Sequence, residues 1–181
     1  RTTITEVTIS GNTATGSGGG NFSRDNSSPT IADLTISGNS ADNGGGIYCN
    51  ASNFTMNDVT ITDNTANYGG GVYLDQAATD SVELTALNMT ITDNMASYNG
   101  GGIYFSSSSP ILTDLTISSN SADNGGGIFC QNNSSPTLTD VTISANQAGS
   151  EGSGVYTEGG SAPTVENCNI LQNGSGVYNN D

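Results

Sequence analysis

One short string recurs seven times along these 181 residues, and it limits the chain to a stack of near-identical layers. The string is aliphatic-Thr-Ile-Ser/Thr-x-Asn: VTISGN at 7–12, LTISGN at 34–39, VTITDN at 59–64, MTITDN at 89–94, LTISSN at 115–120, VTISAN at 141–146 and a degenerate CNILQN at 168–173. Its closing asparagines, Asn12, Asn39, Asn64, Asn94, Asn120, Asn146 and Asn173, are 27, 25, 30, 26, 26 and 27 residues apart. A glycine cluster followed by an aliphatic and an aromatic residue comes next in each unit. It reads GGGIY at 44–48 and 100–104, GGGVY at 69–73, GGGIF at 125–129, and GSGVY at 152–156 and 174–178. The first copy, GGGNF at 18–22, puts Asn21 in the aliphatic slot. Ser-Pro at 28–29, 109–110 and 135–136, and Ala-Pro at 162–163, introduce the following unit.

Within a unit apolar residues alternate with polar ones, as in Leu34-Thr35-Ile36-Ser37, and no helical period is sustained. Glycine clusters, asparagine and Ser-Pro punctuate these short strands as corners. A strand-corner-strand unit this small cannot bury its own apolar edge, so it must stack on copies of itself. The chain is therefore expected to be all-β, a single parallel β-solenoid domain over 1–181 with about seven rungs of 25–30 residues. At about 4.8 Å per rung that is a rod on the order of 34 Å long. A hydrophobic share of 33% with a net charge of −15 would by itself suit a disordered chain; the repeat overrides it.

Alternation assigns the faces. Val7, Leu34, Val59, Met89, Leu115 and Val141 point inward, as do Ile9, Ile36, Ile61, Ile91, Ile117, Ile143 and Ile170, and a bend at Gly38 turns Asn39 and Ala41 back inside. The asparagine column then reads as an internal amide ladder, because a buried polar column must satisfy its hydrogen bonds. Ile47, Val72, Ile103, Ile128, Val155 and Val177 face inward on the next strand. Phe22, Tyr48, Tyr73, Tyr104, Phe129, Tyr156 and Tyr178 then form an aromatic ladder on the opposite side, a stabilising stack or a track on which sugars could stack. Cys49 and Cys130 share a slot three rungs apart, about 14 Å, too far for a disulfide. With Cys168 they read as small apolar core residues.

These motifs resemble the right-handed parallel β-helix superfamily that includes pectate lyases, and more closely the GGxI and FxxN repeats of polymorphic outer-membrane autotransporter passengers. GGGI at 44–47, 100–103 and 125–128 matches the first motif; the strings ending at Asn39, Asn64 and Asn120 match the second with isoleucine in place of phenylalanine. The resemblance covers essentially the whole chain and implies a right-handed β-helix. It leaves function open, since that fold carries lyases, hydrolases, adhesins and inert shafts. A lyase of this kind would need an arginine base beside a calcium-binding carboxylate cluster, and a polygalacturonase-like site would need His, Arg and Lys around its aspartates. Here the basic residues are Arg1 and Arg24, with no lysine, histidine or tryptophan, and the acids are spread evenly by the repeat. No enzyme is expected.

The same shortage of cations excludes nucleic acid as a partner and disfavours anionic membrane surfaces. No apolar run approaches the roughly 20 residues of a membrane span, and the N-terminus lacks the regions of a signal peptide. Glu6, Asp33, Asp58, Asn88, Asp114, Asp140 and Asn167 each precede the first core residue of a string. Asp and Asn cap corners by bonding backbone amides; the alternative is calcium held between rungs, the one cofactor the sequence suggests. Outward hydroxyls form regular rows: Thr8 and Ser10, Thr35 and Ser37, Thr60 and Thr62, Thr90 and Thr92, Thr116 and Ser118, Thr142 and Ser144. Such a face resembles the ice-binding surfaces of some β-helical antifreeze proteins, although threonine is common in exposed strands anyway. Sequons for N-glycosylation occur at Asn21, Asn26, Asn50, Asn53, Asn88, Asn132, Asn133 and Asn173.

The expectation is a non-enzymatic, extracellular or cell-surface structural protein: a stiff acidic shaft, adhesin passenger or filament subunit. The chain opens inside a repeat and neither end carries a polar cap, so it reads as a segment continued by further rungs or by copies stacked head to tail. The alternative is a ligand surface, for ice through the hydroxyl face or glycans through the aromatic ladder.

Overall fold

The computed structural model describes residues 2–180 apart from 25, 26, 28, 53 and 76–83. Among them there is no helix, and the strand pairings are parallel. Three sheets run along the stack. The first pairs Thr3–Ser10, Thr30–Ser37, Phe54–Thr62, Leu84–Thr92 and Ile111–Ser118. It continues as split strands, Thr137–Thr139 with Thr142–Ser144 and then Thr164–Glu166 with Asn169–Leu171. The second joins Thr65–Tyr68, Met95–Asn99, Ser121–Asn124 and Gln147–Glu151, and bridges from Thr13 to Ser40 to Thr65 prolong it. The third stacks Asn21–Ser23, Ile47–Asn50, Val72–Asp75, Ile103–Ser106, Ile128–Gln131, Val155–Thr157 and Val177–Asn179. Each turn of chain visits the three sheets in that order and returns one level further on, as the repeat predicted.

The strands of the first sheet start earlier than the repeat string does, and a left-handed residue folds each of them. Glu6, Asp33, Asp58, Asn88, Asp114, Asp140 and Asn167 have φ between 52° and 57°. Asp and Asn tolerate that conformation better than other non-glycine residues, which gives the acidic column its physical cause. The bend also corrects the expectation of strict alternation. Counting back by twos from Leu34 would face Ile31 to solvent, yet Ile31 and Leu34, Met56 and Val59, Leu112 and Leu115, and Leu138 and Val141 are all 0–2% exposed. A second row of left-handed residues, Gly11, Gly38, Asp63, Asp93, Ser119, Ala145 and Gln172, makes the corner that sends the asparagines inward.

At that corner the amides form a continuous ladder. Asn12, Asn39, Asn64, Asn94, Asn120 and Asn146 each donate from backbone N–H and from Nδ2 to the Oδ1 of the asparagine one level on, at 2.9–3.1 Å. From Asn39 onward Nδ2 also donates to the carbonyl of the isoleucine one level back, for example Asn94 to Ile61 at 3.0 Å. The five interior members are 0–1% exposed.

The glycine cluster answers two different demands. Its first residue has positive φ, 61–69° at Gly44, Gly69, Gly100 and Gly125. Its second and third lie against the next level: a Cβ on Gly70 would sit 2.5 Å from the Met95 carbonyl oxygen and 2.6 Å from that of Gly101. Ser153 takes the middle slot because the chain passes from Asn173 directly to Gly174-Ser175-Gly176 at the next level, with no second-sheet strand to collide with.

Inside, one apolar cluster runs from Ile31 to Val155 and leaves a void of about 10 Å³ near Ala86. Burial fails toward both ends: Val7 is 40% exposed and Val177 59%, against 2% and 3% for Leu34 and Ile103 in the corresponding slots.

Candidate functional site

The outer side of the first sheet carries the hydroxyl rows where the sequence placed them. Thr8, Thr35, Thr60, Thr90, Thr116 and Thr142 stack in register, and Ser10, Ser37, Thr62, Thr92, Ser118 and Ser144 form a second row beside them. Rows repeat at about 4.8 Å along the rod and lie about 7 Å apart along a strand. Thr90 and Thr116 are exposed and the remaining members from Thr35 to Ser144 half-buried. Several hydroxyls are held: Thr62 and Thr92 donate to Asp63 and Asp93 at 2.9 Å, and Ser118 donates to Thr92 at 3.3 Å. Asn169 and Leu171 end both rows at the seventh level.

The aromatic ladder also forms, but its rings are not an open track. Successive centroids from Phe22 through Tyr48, Tyr73, Tyr104, Phe129 and Tyr156 to Tyr178 are 4.6–5.3 Å apart with planes within 24° of parallel. Each interior ring therefore has both faces covered by its neighbours, and Tyr104, Phe129 and Tyr156 are only 4%, 1% and 7% exposed. Burial, reinforced by the Asp75 carboxylate, pushes the Tyr73 phenol up to about 12 and raises Tyr48; burial raises Tyr104 as well. Arg24 places its guanidinium 5.8 Å from the Phe22 ring centroid.

The remaining candidates sit at corners. Among the described sequons Asn88 and Asn133 combine an exposed asparagine with an exposed hydroxyl, at Thr90 and Ser135. At Asn21, Asn50 and Asn132 the motif's serine, Ser23, Ser52 or Ser134, is buried, and Asn173 with Ser175 is half-buried. Asn26 and Asn53 lie outside the described residues. In the acidic column Asn88 donates to Asp58, and among the described residues no three His, Cys, Asp or Glu side chains group to hold a metal ion. Cys49 and Cys130 are buried in one column, separated by Leu74 and Phe105 as the spacing required. Burial pushes the Cys49 thiol up to about 12 and raises Cys130 further. Cys168 is half-buried against the core.

Two features escaped the sequence reading. A serine column at the third corner, Ser52, Ser108, Ser134 and Ser161, is 0–4% exposed. The Ser108 N–H donates to Ser134 Oγ at 3.0 Å and the Ser134 N–H to Ser161 Oγ at 3.1 Å. Its signal was the serine just before Ser-Pro and Ala-Pro. The other is Tyr98, 51% exposed, whose ring lies 5.3 Å from Tyr68, which in turn meets Tyr104 edge-on at 5.8 Å.

Fold and surface together define a parallel β-solenoid with an amide spine, a hydroxyl face and an enclosed aromatic stack. The family described as "Right handed beta helix region" matches residues 1–97 and 77–181, and the chain belongs to it. No curated protein and no solved structure matches the chain.

Proposed function

We propose that this chain is a structural, non-enzymatic β-helix: a stiff acidic shaft, of adhesin-passenger or filament type, working outside the cell. The observation that carries the proposal is the unbroken continuity of its ladders. Asparagine and aromatic columns run through all seven levels, and the hydroxyl rows through six, and among the described residues there is no cleft at which titratable side chains converge. Core slots open at both ends, where Val7 and Val177 are 40% and 59% exposed. Further rungs of the same chain, or copies stacked head to tail, would cover them. No metal takes part in this reading, and glycans, where the source attaches them, would sit at Asn88 and Asn133. Sedimentation over a range of concentration tests the shaft. Rods that lengthen with concentration support it; a substrate turned over by the purified chain removes it.

A second reading has one observation in its favour, the in-register Thr60, Thr90 and Thr116 on the first sheet, the last two exposed. Ice binding through that face predicts thermal hysteresis that Thr60→Lys and Thr90→Lys abolish. A glycan track along the aromatic ladder draws no such support, because stacking occupies the ring faces.

A further inference from the structure

The second sheet is irregular at Met95–Asn99 and again at Gln147–Glu151, and an aromatic pair stands at the first of these. Thr65 and Ala66 pair with Met95 and Ala96, but Tyr68 pairs with Asn99, so Ser97 and Tyr98 together oppose Asn67. That is a β-bulge, a device that re-aims a side chain. It arises because the segment between Asn94 and Gly100 is one residue longer than its counterpart between Asn64 and Gly69. The extra residue lifts Tyr98 off the surface, 51% exposed, and lays its ring 5.3 Å from that of half-buried Tyr68 with the planes tilted by 36°.

We propose that Tyr68 and Tyr98 form an oxidative cross-linking site, joined as a dityrosine by a one-electron oxidant such as a haem peroxidase with hydrogen peroxide. Each phenol loses one electron and one proton. The two tyrosyl radicals couple between ring carbons ortho to oxygen, and the hydrogen on each coupled carbon returns to its own oxygen to restore two phenols. Hydrogen peroxide takes up the two electrons and two protons and leaves as two waters.

The geometry selects this pair over the ladder pairs Tyr48–Tyr73 and Tyr73–Tyr104. A dityrosine joins two rings edge to edge, and a ring clamped on both faces cannot swing into that arrangement. Tyr48, Tyr73 and Tyr104 are each held between two rings of the ladder at 4.6–5.2 Å from a neighbouring tyrosine, with planes within 24°. Tyr98 meets a single ring among the described residues, tilted against it, and is 51% exposed to the oxidant, while Tyr68 is braced from behind by Tyr104. Proximity of this order replaces an encounter between molecules with a local rotation. The bond would tie the third and fourth levels together at the surface.

The test treats the dilute 181-residue protein with peroxidase and hydrogen peroxide, then measures dityrosine fluorescence and maps peptides. The expected product is a monomer lighter by two hydrogen atoms, with the bridge between peptides holding Tyr68 and Tyr98 and a raised melting temperature. Tyr98→Phe should lose nearly all the fluorescence, and Tyr178→Phe should keep it. Oxidation of exposed Met95 adds an oxygen and is scored separately. A bridge between Tyr156 and Tyr178, cross-links only between molecules, or undiminished fluorescence in Tyr98→Phe would each overturn the proposal.

Discussion

At the scale of single residues, the ladder asparagines show how one side chain can be held by several partners at once. Asn94 accepts from the Asn64 backbone and side chain and donates to Asn120, Ile61 and Thr92. Asn94→Ala strands those buried groups and should lower the unfolding free energy by about 3 kcal/mol in urea titrations, since each buried unsatisfied group costs about 1–3 kcal/mol. Asn12→Ala, at the exposed end of the ladder, should cost less than about 1 kcal/mol. An equal loss at both positions would contradict the burial argument. The buried thiols and phenols give a second expectation. Cys49 and Tyr73 titrate near 12 in the folded chain, above their ordinary values of 9 and 10, so the folded state holds protons that the unfolded state releases. Stability is then intact below pH 9 and falls as pH rises from 9 through 12, which melting curves across that range would show. The asparagines were legible in sequence because an identical polar residue recurred at a fixed spacing beside apolar ones. The serine column was not, because serine is so common here that its burial has no compositional mark.

At the scale of elements, corners decide the strand lengths. The inward columns at Ile36 and Ile47 could be read from alternation. The column at Ile31 could not, because a left-handed Asp33 breaks the period of two without breaking the strand. Aspartate in that slot looks like a charge and acts as a bend. Glycines divide in the same way. Gly38 has φ of 63° and no atom closer than 4.0 Å to a built Cβ, and the equivalent slots hold Asp63, Ser119 and Ala145. Gly38→Asn should therefore change stability by under about 1 kcal/mol. Gly70→Ala must push a Cβ into two backbone carbonyls and should cost several times as much, about 3 kcal/mol or more, with loss of cooperative unfolding. Circular-dichroism melts of the two variants side by side distinguish spatial exclusion from backbone conformation. The bulge that exposes Tyr98 was visible only as one extra residue before Gly100. Only the paired strands show which side chain that residue displaces.

At the scale of the whole molecule, an uninterrupted stack has no natural end. The parallel register that buries Leu34 between Val7 and Val59 leaves Val7 itself half-covered, and the amide ladder leaves Asn12 without a donor from a preceding level among the described residues. The asparagine-to-asparagine bonds run one way along the rod, from each asparagine to the Oδ1 of the next, so the two ends are unlike and a copy could continue the stack head to tail but not head to head. A net charge of −15 opposes side-by-side bundling, so raising the salt concentration should promote lateral association of rods while leaving end-to-end contact less affected. Light scattering against ionic strength, read beside rod length in micrographs, separates the two modes. Electron microscopy of the protein in its native material tests the shaft most directly. Continuous rods or fibres, with rungs at about 4.8 Å running past the seven described levels, are the predicted result. Discrete particles about 34 Å long, closed at both ends by other structure, would contradict it.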